Sequence, residues 1–236
     1  MDKKTKYQEL IKARKQDNCC VCELANPHSI FPELMKDFLD PWEQWQNDLD
    51  AKIMVIGQDF ANEATFLKDK GFVEPLPNKH LYRSNKNLRW LFRQQLGIDI
   101  GHPHPCSFER KQAPVFITNA IMGLKLSESM SSQVKVKWLD CYQEKYLKPL
   151  IRIIEPQVIL CLGKIATYSV FSIYGYIFNS FKSVVETPPE KEKTGGIKVF
   201  PVFHTGSRML YNRPQAASDW EKIGSYLTNL EYTNSI

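Results

Sequence analysis

Apolar residues in this chain fall into short unbroken runs, separated by longer stretches in which they recur every three or four positions. The two periods predict strands and helices in alternation. Runs at 52–57, 115–119, 157–162 and 197–203 read as strands, since a strand buried on both faces needs no polar alternation. Helical spacing occupies 1–16, 61–70, 84–96, 135–154 and 215–229, with shorter helices starting at Asp40-Pro41 and after Gly163. Leu88, Leu91, Phe92 and Leu96 share one face of the 84–96 segment, and Gly97 caps it. Leu139, Tyr142, Tyr146, Leu147 and Ile151 mark the packing face of 135–154, which Pro156 closes. Trp220, Ile223 and Leu227 do so for the last helix.

Between these elements stand clear breakers: Gly71, the Pro75, Pro77 and Asn78 loop, His102-Pro103-His104-Pro105, the polar stretch 126–133, and Pro188-Pro189 with the exposed charge run Glu190-Lys191-Glu192-Lys193. Strand-helix-strand spacing predicts an α/β fold, a three-layer α/β/α sandwich around a central, mainly parallel four-stranded sheet. One domain accounts for residues 1–236, with a helical, cysteine-containing extension at about 1–50. A 236-residue chain that is 43% hydrophobic can fill one such core, and it contains no repeat or low-complexity tract.

Charge narrows the picture little. The net +5, from 31 basic and 26 acidic residues, tolerates an anionic partner without demanding one. The apolar run Val158 to Leu162 is far short of the roughly 20 residues a membrane span needs, and the lysine-rich start leads into no signal-like apolar region. Six irregularly spaced cysteines do not form a secreted disulfide framework. A cytoplasmic monomer is therefore expected, with Cys19-x-x-Cys22 as reduced thiols able to form half of a metal site.

Three strands end in polar clusters: Gly57-Gln58-Asp59, Ile117-Thr118-Asn119 and Val202-Phe203-His204. In a parallel sheet all strand C-termini open on one edge, so an acid, an amide and an imidazole far apart in sequence can converge there. Each also has an ordinary structural role open to it. Asp59 can cap the helix that follows, Asn119 can satisfy a loop backbone, and His204 can be a hydrogen-bonded structural histidine. Cys161 lies inside a strand and reads as core.

Taken together, the motifs resemble those of the uracil-DNA glycosylase superfamily over roughly residues 15–230. Gly57-Gln58-Asp59 is similar to the start of the Gly-Gln-Asp-Pro-Tyr motif of the branch that lacks a cluster. Ile117-Thr118-Asn119 resembles the strand whose asparagine reads uracil. Ile154-Glu155-Pro156 and the strand ending Leu162-Gly163 resemble the superfamily's proline, apolar strand and Leu-Gly signature, and His204-Thr205-Gly206-Ser207-Arg208 its final His-Pro-Ser loop. The resemblance implies a monofunctional DNA glycosylase that removes uracil and leaves an abasic site, with uracil-containing DNA as partner and no cofactor needed for the chemistry. A noncatalytic nucleic-acid-binding relative, or a glycosylase for another deaminated or damaged base, is the alternative.

By that resemblance Asp59 handles the attacking water and balances the sugar cation, and His204 stabilises the departing base. Gly57, Gln58 and Asn119 bind the base, Phe72 or Tyr82 stacks on it, and Ser207, Arg208 and Met209 meet DNA. Phe72 and Tyr82 read equally well as core aromatics. Some positions depart from the family pattern. Phe60 and Ala61 replace Pro-Tyr, so thymine exclusion is not carried over to this chain. Gln58 stands where the iron-sulfur branch has a catalytic glutamate, and Thr205-Gly206 in place of Pro-Ser predicts a looser final loop. Cys19, Cys22 and Cys141 resemble ligands of the iron-sulfur glycosylases, but Gly123 occupies the place of the remaining cysteine. Cys20, Cys106 or His28 would have to complete a zinc or altered cluster site.

Overall fold

The computed structural model describes residues 1–17, 24–32, 48–59, 62–63, 83–101, 115–126, 134–206 and 216–233. Four of the apolar runs form one parallel sheet: β2 (Ile53–Gly57), β3 (Phe116–Asn119), β5 (Val158–Leu162) and β6 (Lys198–Val202). Its strand order is β3-β2-β5-β6. β2 runs beside both β3 and β5, pairing Gly57 with Asn119 at one end and Ile53 with Val158 at the other. A second, two-stranded antiparallel sheet joins β1 (Leu24–Ala25) to β4 (Leu124–Lys125). The apolar pattern predicts neither of these short strands, because two residues are too few to show a period.

Alternate residues of each strand point to opposite faces, and both faces are covered. On one side Met54, Ile56, Phe116, Ile159 and Val199 pack against Tyr7 and Ile11 of α1 (Lys3–Gln16) and against Leu139, Leu147 and Ile151. On the other, Val55, Ile117, Leu160 and Val202 pack against Leu88, Leu91 and Phe92 of α2 (Arg83–Leu96), with Trp220 and Ile223 of the final helix (Ala216–Thr233). Phe92 and Trp220 meet edge to face at 5.5 Å between ring centroids. Each fully buried side chain of this size contributes about 1.5–3 kcal/mol through removal from water. The expected three-layer α/β/α sandwich is thus present, with Cys161 buried in it as a free thiol.

The helix expected over 135–154 is interrupted. An α-helical segment (Val136–Tyr142) passes through a π-helical turn (Gln143–Leu147) and resumes at Lys148–Ile154. Pro149 gives the physical reason: it has no N–H to donate into the preceding turn, and the wider turn accommodates that loss. A short helix at Phe181–Glu186, absent from the sequence reading, packs Val184 and Val185 inward. No helix among the described residues is long and apolar enough to cross a membrane. The helices expected at 61–70 and from Asp40 lie outside the described residues, apart from Asn62 and Glu63.

Candidate active site

Parallel pairing brings the first two polar clusters together directly. Gly57 and Asn119 are register partners at the C-terminal ends of β2 and β3, and the backbone N–H groups of Ala120 and Ile121 donate to Gly57 O (2.9 Å) and Gln58 O (3.0 Å). The loop after β3 is thereby fixed to the end of β2. The Asn119 side chain lies so close over Gly57 that a β-carbon there would overlap Asn119 Oδ1. Glycine at 57 is thus required for the amide to occupy this place.

Asp59 is only 11% exposed and takes both its described contacts on one oxygen. Gln58 Nε2 donates to Oδ2 at 2.7 Å, and Lys125 Nζ lies 3.2 Å from the same atom. These donors are side chains rather than the backbone N–H groups a helix N-cap would engage. Lys125 comes from β4 and is itself buried. The sequence pattern does not single it out, because a lone lysine opening a polar stretch ordinarily faces water. Its one local signal is the Leu124-Lys125-Leu126 alternation, which also suits an exposed edge.

His204 follows β6 and is exposed. The backbone N–H of Gly206 donates to its Nδ1 at 3.0 Å. Nδ1 must therefore accept, which places the proton of the neutral ring on Nε2 and makes that nitrogen a hydrogen-bond donor. Desolvation lowers its pKa below the ordinary imidazole value, while the charge of Asp59 pulls the other way. The loop beyond is tied down: Thr205 is buried, and Asn87 Nδ2 of α2 donates to Thr205 O at 2.7 Å. Through Gly206 the segment is held by these hydrogen bonds, and the rest of the final loop lies outside the described residues.

A pH prediction follows from the lowered pKa. The folded protein resists protonating His204, so its contribution to stability is full above pH ~6.5 and is lost as the pH falls through the lower folded-state value. Protonation would also set an N–H on Nδ1 against the Gly206 N–H. Following the imidazole signals of His204 by NMR is expected to give a midpoint below that of an exposed histidine. A midpoint above it would overturn the Nε2–H assignment.

The structure therefore brings together Gly57, Gln58, Asp59 and Asn119 and sets His204 on the same sheet edge, within electrostatic reach of Asp59. Phe72, Tyr82, Ser207, Arg208 and Met209 lie outside the described residues, as do Phe60, Ala61, Cys19 and Cys22. Cys141 is half-buried and disulfide-bonded, where the cysteine spacing alone predicts free thiols. A β-carbon at Gly123 would overlap the Tyr142 hydroxyl and sit 3.2 Å from Leu24 Cβ. The tyrosine fills the room a cysteine ligand would need, so a four-cysteine cluster does not fit at that position. Among the described residues no group of three or more His, Cys, Asp or Glu could hold a metal ion.

Over 94% of its length the chain is similar in structure to the wild-type UNG of Nitratifractor salsuginis, covering 95% of that chain at 10% identity and a TM-score of 0.42. It is also similar to a Tyr-to-Gly mutant of that protein, over 94% of this chain and 96% of that one, at 11% identity and a TM-score of 0.34. No curated protein matches the chain in sequence. The family model described as the Uracil DNA glycosylase superfamily matches residues 44–228, a span that takes in all four strands of the main sheet and every strand-end group described above. The chain belongs to the uracil DNA glycosylase superfamily.

Proposed function

We propose that this protein is a monofunctional glycosylase that hydrolyses the bond between uracil and deoxyribose in DNA, leaving an abasic site. One observation carries the reading: a partly buried carboxylate, a strand-end amide and a neutral imidazole with its proton on Nε2 share one edge of the sheet. Cleaving this bond builds positive charge on the sugar and negative charge on the departing base, so the site needs an anion at the first and a donor at the second. Asp59 supplies the anion, orients the water that adds to C1′ and takes up the proton that water loses. As the C1′–N1 bond breaks its electron pair leaves with uracil, and His204 Nε2–H donates to the developing oxyanion on the O2 side.

The base must first leave the duplex stack, at a cost of a few kcal/mol, or come from a single strand. Asn119 then donates and accepts along the pyrimidine edge, a pattern that cytosine, with donor and acceptor exchanged, disrupts. Phe72 or Tyr82 stacks on the base, while Ser207, Arg208 and Met209 contact the DNA. In this reading the protein acts as a cytoplasmic monomer and needs no cofactor for the chemistry.

The ion pair between Asp59 and Lys125 favours a second reading, in which Asp59 is only a structural counterion and the protein binds nucleic acid without cutting it. Incubation with a labelled single-stranded oligonucleotide holding one uracil, followed by alkali, separates the two. Strand scission at uracil, and none in a thymine control, is expected. Binding with no scission by folded protein would transfer the conclusion to the noncatalytic reading.

A further inference from the structure

We propose that Lys125 is a positioning residue of this site, its ammonium holding one oxygen of Asp59 so that the other stays turned toward the attacking water. The inference rests on the uracil-excision reading above and assigns a part to a residue outside the motifs. Its ground is geometric. Lys125 Nζ is 3.2 Å from Asp59 Oδ2, and the Lys125 side chain is 1% exposed. Gln58 Nε2 donates to the same oxygen, and among the described residues no donor reaches Oδ1.

Three distant segments fix the lysine where it is. Its backbone is paired with Leu24 in the small sheet and bridged to the buried Asn62 after β2, and Lys125 itself follows the β3 loop that is bonded to the end of β2. The amino-terminal extension thereby takes part in building the site. Packing alone does not call for such a residue, because a buried ion pair can often be replaced by apolar side chains with no loss of stability. Placing the cation on one carboxylate oxygen does something an apolar residue cannot: it stops the carboxylate from rotating. The titratable groups that face Asp59 among the described residues are Lys125 on β4 and His204 after β6.

An ion-paired ammonium has no lone pair, which argues against this amine as a nucleophile. The test uses the full chain with Lys125→Met and Lys125→Arg, assayed on the uracil oligonucleotide under single-turnover and steady-state conditions. Lys125→Met is expected to lower kcat on the order of 10²-fold with KM little changed, and Lys125→Arg to restore most of the rate. A folded Lys125→Met protein with wild-type kcat would overturn the assignment. So would a borohydride-trapped protein-DNA adduct that is present in the wild type and lost in Lys125→Met, since that marks a nucleophile.

A readout independent of activity is the lysine ammonium signal in 15N NMR. A solvent-protected ammonium that disappears in both Lys125→Met and Asp59→Asn is expected, and its absence from the wild type would overturn the pairing. If the wild type leaves uracil intact, the excision reading fails on its own, while the ammonium signal still decides whether Lys125 holds Asp59.

Discussion

Asp59→Asn is expected to lower the rate of uracil excision by on the order of 10²- to 10⁴-fold while leaving binding to uracil-containing DNA nearly unchanged. The substitution keeps the shape of the side chain and removes its charge, so what is lost is the anion beside the sugar cation and the acceptor that orients water. It also strands a cation. Lys125 is buried against Oδ2 at 3.2 Å, and an amide oxygen does not replace the carboxylate's charge. Breaking a buried pair by removing one partner costs about 3–5 kcal/mol, so the melting temperature should fall together with the rate.

The two losses can be separated. In the double variant Asp59→Asn, Lys125→Met the uncompensated ammonium is gone, so stability should recover toward that of the wild type, whereas excision should not. Thermal melts and single-turnover assays on the four proteins of this cycle give the coupling directly. Wild-type excision by a folded Asp59→Asn protein would remove Asp59 from the mechanism.

Gly57→Ala is expected to cut kcat/KM for uracil by about 10²-fold without unfolding the protein. Gly57 is not among the residues with positive φ, so alanine can adopt the backbone conformation there. The new methyl group instead overlaps Asn119 Oδ1 across the β2–β3 pair. The amide has to swing away, and a recognition group displaced by an ångström or so no longer matches the base edge. An unsatisfied buried amide costs roughly 1–3 kcal/mol, the scale on which the site discriminates between bases. Asn119→Ala should give a similar loss, and combining the two substitutions should add little beyond either alone. Additive losses would mean that Gly57 acts other than through Asn119.

Much of this architecture is legible along the chain because its causes are local. Four apolar runs without polar alternation mark strands buried on both faces, and the breakers between them mark strand-helix-strand units. Given parallel strands, chain continuity alone puts Asp59, Asn119 and His204 at one edge. Where periodicity failed, the missing information was a single backbone donor or a distant contact. The π-helical turn at Gln143–Leu147 arises next to Pro149, a residue the helical periodicity hid. The β1–β4 pairing joins two dipeptides about 100 residues apart.

The sequence by itself determined the sheet, the order of its motifs and three groups of the site, because strand burial and strand direction are written in short-range pattern. Only the tertiary structure decided that Lys125 is buried against Asp59, that Gly206 sets the tautomer of His204, and that Tyr142 fills the space beside Gly123. Each is a packing or hydrogen-bond contact made after the chain has folded back on itself. The periodicity of the sequence carries no trace of where a side chain's neighbour will come from.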